Sequence, residues 1–265
     1  MQPHEFRQLI WQKAAPLYRT MPWREQPSFY YVLVSEVMLQ QTQVPRVLPK
    51  FANFITLFPT IELLAEASLA DVLRAWQGLG YNRRAQFLHQ AAKYVALQGQ
   101  PVTYEGLLAL PGVGRATAAA LMNYVYNVPT AFIETNIRTV YFYHFFADQT
   151  DISDTKLYEL VQNTIDVSRP REWFWALMDY GTWLKAQGMG SITLSKHYKK
   201  QAPLKGSVRE VRGQIIRSLA SGPKQLEQLK KLVSTDERFT PAMQALQKEG
   251  LVVQHGSRFE LTNEG

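Results

Sequence analysis

The sequence runs to 265 residues, 46% hydrophobic and 12% aromatic, too apolar for a disordered chain and enough for a sizeable core in one large or two smaller domains. It contains no cysteine, which excludes disulfides, a thiol nucleophile, zinc–thiolate sites and a cysteine-ligated iron–sulfur cluster. A net charge of +7 favours a polyanionic partner, most simply nucleic acid.

The opening stretch MQPHEFRQLIWQKAAPLYRTMPWR lacks the basic-then-apolar order of a signal peptide, and no apolar run approaches the roughly 18 residues that span a bilayer. A soluble, cytoplasmic protein with no membrane partner is expected. Residues 29–44 set Tyr30, Leu33, Val34, Val37, Met38, Gln41 and Val44 on one stripe at helical spacing. Pro45 is expected to end or bend that helix. Further helical patterns follow at 47–57, 61–66, 69–76, 83–97, 104–109, 115–126, 134–146, 154–166 and 171–186. Short stretches holding Gly or Pro separate them (FPT, GLGY, LPGVG, SRPRE), and little reads as a strand. The predicted class is mainly α.

The charge is uneven. Residues 1–194 hold 16 basic and 15 acidic residues, whereas 195–265 hold 13 and 7. The break lies in the basic stretch SKHYKKQAPLKGS, read as a linker over 195–207, a solvated connector or a DNA-facing strap. Beyond it VREVRGQIIRSLAS reads as a helix stopped by Gly222-Pro223, and KQLEQLKKLV and TPAMQALQKEG as two more. LVVQHGSRFELT gives two short β-prone runs around His255-Gly256-Ser257, a hairpin signal. Residues 208–265 thus resemble a winged-helix module, a type that binds DNA or protein.

Three features carry possible chemistry. In Leu110-Pro111-Gly112-Val113-Gly114 two glycines permit a sharp turn, and the helix beginning near Arg115 points free N–H groups back at it, a cradle for phosphate. An ordinary helix–helix turn would look the same. Glu36 shares a helix strip with Gln40 and Gln43 beside the apolar stripe. Partial burial there would raise its pKa and make it a proton donor, while the plainer reading is a solvated carboxylate. Glu134 opens a helix after the apolar Ala131–Ile133, where it serves chemistry or simply caps the helix. A basic helical protein with a Gly hairpin and two carboxylates on separate helices suits glycosidic cleavage on DNA, one acid protonating the departing base and one anion stabilising the cationic sugar.

SEVMLQQTQV at 35–44, FPT at 58–60, WQGLGYNRRA at 76–85 and LPGVGRATAAA at 110–120 resemble the MutY-type adenine DNA glycosylases of the helix-hairpin-helix superfamily, over roughly residues 20–185. The resemblance implies a helix-hairpin-helix glycosylase domain over 1–194, built as two helical lobes with the active site between them. It also implies a flipped-out base, because the glycosidic bond is inaccessible in a stacked duplex. It makes Glu36 the catalytic acid, which protonates adenine and later helps activate water. It sets Glu134 where the family carries an aspartate, and Asn136 at the family's asparagine. Gln41 and Tyr81 match residues that wedge into the base stack, and Arg24 matches an arginine near the base pocket. Gly112, Val113, Gly114, Arg115 and Thr117 fall in the phosphate-binding hairpin.

Four departures stand out. Residue 134 is Glu, one methylene longer than Asp. The family's four-cysteine cluster is missing, and the lysines of MDYGTWLKAQGMGSITLSKHYKK stand in its region. The family's usual C-terminal domain is replaced by the short tail. Ala116 stands where lyase relatives hold a Schiff-base lysine, so base removal without strand cleavage is expected. The expected function is a monofunctional glycosylase removing a mismatched base, adenine opposite 8-oxoguanine or guanine. Its partner is double-stranded DNA, its state monomeric, and no metal or cofactor is expected, with a monovalent ion on the hairpin carbonyls left open. Thymine or uracil excision, or a non-catalytic DNA-binding and damage-sensing module, are the alternatives.

Overall fold

The computed structural model describes residues 1–147, 149–190, 195–196, 202–233 and 236–264. The chain opens with α1 (Pro3–Leu17), α2 (Pro22–Glu25) and α3 (Phe29–Leu39), followed by α4 (Val44–Leu57), α5 (Ile61–Glu66), α6 (Leu69–Ala75) and α7 (Arg83–Gln98). Next come α8 (Tyr104–Leu108), α9 (Arg115–Tyr124), α10 (Thr135–Phe145), α11 (Asp154–Thr164) and α12 (Pro170–Ala186). The tail holds α13 (Val208–Ala220), β1 (Lys224–Gln225), α14 (Leu226–Leu232), α15 (Phe239–Lys248), β2 (Val252–His255) and β3 (Arg258–Leu261).

Local chemistry accounts for most of these boundaries. Thr60, Ser68, Thr103, Ser153 and Ser207 each accept an N–H of the first helical turn and so start α5, α6, α8, α11 and α13. Prolines occupy the first turn of α1, α2, α4 and α12, where a missing N–H costs no intrahelical bond. The helix expected over 29–44 is corrected: it stops at Leu39, and Pro45 begins the next helix instead of ending this one. Gln41 sits at φ 56 between them, a conformation no helix interior accepts. Helices α1 and α2 and the two-residue strand β1 had no counterpart in the sequence reading.

The chain divides into two compact units. One comprises 1–36, 102–109 and 113–200. The other comprises 37–101, 110–112 and 201–265, so the tail shares a unit with α4–α7. In the first, α12 packs on α1, α9 and α10 around the fully buried Phe6, Tyr141, Phe142, Trp173 and Phe174. In the second, α5 and α6 pack on α7 over a core with Phe51, Phe54, Leu64 and Trp76. There α13 lies against α6, α14, α15 and β3. The three strands form an antiparallel sheet in the order β1-β3-β2, with Val252 opposite Leu261 and His255 opposite Arg258. Part of the linker read over 195–207, and part of the lysine-bearing stretch before it, lies outside the described residues. Among the described residues no helix is long and apolar enough to cross a membrane.

Candidate active site

Glu36, Glu134, Asn136 and Arg24 all belong to the first unit. Glu36 lies on α3, partly exposed, and among the described residues its carboxyl makes no hydrogen bond. Burial by its neighbours, then the negative charge of Glu134, raise its pKa from 4.5 to about 7, against an opposing pull from Arg24. Near neutrality the group therefore holds a proton on a substantial fraction of molecules, with no hydrogen-bond partner for it among the described residues.

Glu134 has the opposite surroundings. It is the N-cap of α10, and one carboxylate oxygen accepts the backbone N–H of Asn136 at 2.5 Å and of Ile137 at 2.8 Å. Its other oxygen accepts from Asn136 Nδ2 at 3.3 Å. Burial is the largest influence and raises its pKa on balance, against the lowering pull of the N–H of Ile137, the ammonium of Lys185 and the N–H groups of Asn136 and Thr135. Those bonds favour the anion, and the positive end of α10 adds to them. Glu134 is thus both a helix cap and a held carboxylate, and the capping turn orients it. Asn136 completes that turn: its amide also lies 3.7 Å from the sulfur of Met178 and accepts from Thr182 Oγ1 at 3.4 Å.

Arg24 is buried, 6% exposed. It donates to both carboxylate oxygens of Asp179, at 2.7 and 3.1 Å, and to the carbonyl of Arg19. Its guanidinium also faces the rings of Tyr18 and Trp175 at 5.5 Å. Asp179 further receives Arg19 Nε at 2.6 Å. Asp179 thereby fixes Arg24 in place as a cation felt by Glu36. The phenol of Tyr124 is pushed well above its usual pKa, first by burial and then by the charge of Glu36.

Asp179, Tyr124 and Gly181 have no part in the sequence analysis, and Lys185 stands there only among the lysines of the 178–200 stretch. Gly181 is the one with a visible sequence signal, a lone glycine inside a helical pattern. A Cβ there would fall 2.7 Å from the carbonyl carbon and 2.8 Å from the Cα of Asn136. Only glycine lets α12 approach the capping turn that holds Glu134.

The second unit carries Gln41 and Tyr81, and both have positive φ, 56° and 49°. Such backbone costs energy in residues other than glycine and persists only where surroundings impose it. Arg84 imposes it. Its buried guanidinium donates to the carbonyls of Val37, Met38 and Gln40 at 2.5–3.0 Å and to those of Leu79 and Gly80 at 3.2 Å. It reaches Thr42 Oγ1 at 3.3 Å as well. One side chain thus takes up the free carbonyls at the end of α3 and ties the 40–42 turn to the 78–81 loop. Burial lowers its pKa to about 10, which leaves it charged at neutral pH.

In the hairpin between α8 and α9, Gly112 has φ 75 and its Cα faces Phe87, whose Cβ would lie 2.6 Å from an added methyl. Gly114, the N-cap of α9, has open space around its Cα. Gly112, Gly114 and Arg115 are exposed, whereas Val113 and Thr117 are buried at 7% and 8%. The hairpin therefore presents backbone and Arg115 outward, and the Val113 and Thr117 side chains belong to the interior. The chain has no cysteine, so its residues do not fit a thiolate-held iron–sulfur cluster.

Part of the chain is similar to known proteins. Residues 34–165 match the HhH-GPD superfamily of base excision DNA repair proteins. The segment includes Glu36, Gln41, Tyr81, the hairpin, Glu134 and Asn136, but not Arg24, Asp179, Gly181 or the tail. The chain is 44% identical over 127 residues to an adenine DNA glycosylase of Mycobacterium tuberculosis, 46% of this chain and 42% of that protein. It is 32% identical over 155 residues to the enzyme of that name from Buchnera aphidicola, covering 57% and 43%. Against the human adenine DNA glycosylase it is 37% identical over 179 residues, covering 62% and 33%. The matches thus span less than half the length of these relatives. Among solved structures, a thermostable thymine-DNA glycosylase superimposes with TM-score 0.61 at 22% identity, covering 68% of this chain and 85% of that one. A trapped endonuclease III–DNA covalent intermediate superimposes at 0.58 and 17% identity, covering 77% and 91%.

Proposed function

We propose that the protein, whose residues 34–165 match the HhH-GPD superfamily of base excision DNA repair proteins, is a monofunctional DNA glycosylase that releases adenine mispaired with 8-oxoguanine or guanine in duplex DNA. The observation that carries the reading is the unequal carboxyl pair. Glu36 has a pKa of about 7 and no hydrogen bond of its own among the described residues, while Glu134 is held by two backbone N–H groups. Environments that push two acids apart assign them separate roles.

In this reading a flipped-out adenine enters beside Glu36. The Glu36 proton passes to a ring nitrogen of the base as the C1′–N bond breaks, and the bonding pair leaves with adenine. The sugar is left as an oxocarbenium ion, whose charge the Glu134 carboxylate stabilises. Water then adds to C1′ and returns its proton to Glu36. Asn136 and Gly181 keep Glu134 in register, and Asp179 keeps Arg24 beside the pair. Gln41 and Tyr81 enter the base stack to hold the gap left by the flipped nucleotide. The backbone of Gly112–Gly114, Arg115 and the free N–H groups of α9 grip a phosphate. No amine takes part in bond cleavage, so the product is an intact strand with an abasic site.

The test is a panel of duplexes carrying adenine opposite 8-oxoguanine, guanine, cytosine or thymine, with thymine and uracil opposite guanine alongside. Adenine release opposite 8-oxoguanine or guanine, with strand scission only after alkali, is the expected result. Product from the thymine or uracil duplexes alone would overturn the adenine assignment. Strand breaks before alkali would overturn the monofunctional one.

A further inference from the structure

The tail and the loop carrying Tyr81 belong to one compact unit, and they meet at the Tyr81 hydroxyl. Arg209, in the first turn of α13, donates from Nη1 to Tyr81 Oη at 2.9 Å, and its guanidinium lies 6.0 Å from the ring centre. Its Nη2 donates to the carbonyls of Ala202 at 2.7 Å and Pro203 at 3.4 Å. A guanidinium has five N–H donors, and among the described residues these bonds leave Nε and one hydrogen of Nη1 to spare. No carboxylate pairs with Arg209 among the described residues. The neighbouring acid, Glu210, is engaged elsewhere, accepting from Arg238 at 3.1 Å and from the N–H of Gly206 at 2.8 Å.

The same loop is lined by two more cations. Lys50 lies against Gly78, its Nζ 3.4 Å from where a Cβ would stand. The guanidinium of Arg84 lies 5.4 Å from the centre of the Tyr81 ring. Tyr81 itself is 39% exposed on a backbone of positive φ. An exposed ring at the tip of a constrained loop, flanked by an arginine with free donors and a lysine, is a surface for a polyanion whose bases can stack. An arginine fork matches phosphate oxygens better than any other side chain.

We propose that Arg209 binds a DNA backbone phosphate beside the base step that Tyr81 enters, so that the C-terminal module supplies a contact at the lesion itself. This rests on the assignment of Tyr81 as a wedge. The module then acts as a second half of the damage-reading surface, and its Arg209–Tyr81 bond sets the ring and the cation at a fixed spacing before DNA arrives.

The test measures binding of the full chain to two duplexes, one undamaged and one with a tetrahydrofuran abasic analogue, by fluorescence anisotropy across a salt series. R209A is compared with R209K and with R217A. Arg217 is an exposed arginine about 12 Å further along the same helix. R209A should weaken binding to the abasic duplex roughly tenfold and lower the log–log salt slope by about 0.9, the signature of one lost phosphate contact. R209K should recover part of the affinity, and R217A should change little. The loss should be larger on the abasic duplex than on the undamaged one. Three results would overturn the proposal: affinity unchanged in R209A, a loss no greater than that of R217A, or tighter binding, which would make the Tyr81 contact a latch. A wild-type chain that binds neither duplex would overturn it too. Binding by a wild-type chain that releases no base would defeat the glycosylase reading and leave the Arg209 comparison intact.

Discussion

Substituting Glu36 by Gln should remove base release and, at alkaline pH, make the protein more stable. The folded chain raises this carboxyl from 4.5 to about 7, through burial first and the charge of Glu134 second. Between those values the folded state keeps a proton that the unfolded state has released. Stability therefore falls as pH climbs through that interval, because the native state binds more protons there. The rise from 4.5 to about 7, at about 1.4 kcal/mol per pH unit and reduced for the partial exposure of the side chain, costs the wild type on the order of 2–3 kcal/mol at pH 8. Gln keeps the shape and never ionises. E36Q should therefore gain about 2–3 kcal/mol over wild type near pH 8, a rise in Tm of roughly 5–10 °C for a chain of this size, and almost nothing near pH 4.5. Its single-turnover release of adenine should drop at least about 10²-fold, and wild-type release should decline as pH rises through about 7. Urea or thermal unfolding at the two pH values, beside the release assay, reads both quantities. A stability difference that does not depend on pH would refute the raised pKa. Wild-type release by E36Q would refute the proton-donor role.

Two further outcomes follow from packing. G181A drives a methyl into the carbonyl of Asn136, so α10 and α12 must part by about 1 Å, at a cost of about 1–3 kcal/mol. The shift carries Glu134 with it, and adenine release should fall about 10²-fold. Native melting and native release would show that the approach is not tight. R84K keeps the charge but cannot serve five carbonyls at once, so stability should fall by about 2–4 kcal/mol. Hydrogen exchange should quicken at the amides of 40–42 and 78–81, and unchanged exchange there would remove Arg84 as the tie between the two loops.

Much of the secondary structure was legible because it rests on neighbours in the chain. Helical spacing of apolar residues, capping Ser and Thr, and Gly256 in the tail turn act within a few residues of themselves. The end of α3 was not legible in this way. The apolar stripe continues to Val44, yet the helix stops at Leu39, because Arg84, more than forty residues on, takes the last carbonyls. For Glu36 the stripe left two readings open, a solvated carboxylate or a donor, and spacing alone does not separate them. Glu134 was legible as a cap, and the capping bonds are what make it a held anion. Asp179, Tyr124 and the Arg209–Tyr81 pair gave no local pattern at all, since each acts on a partner far away in the chain.

By itself the sequence determined composition and chemistry in kind: no thiolate for a cluster, two acids on separate helices, two glycines at a hairpin, and a positive tail on an almost neutral body. Only the tertiary structure decided how differently the two acids are surrounded: both are raised by burial, and Glu134 alone has backbone N–H groups that favour its anion. Desolvation and charge–charge coupling are sums over every neighbour in space. Those neighbours, Glu134 and Arg24 around Glu36 and Lys185 near Glu134, come from distant parts of the chain that folding alone brings to the same place.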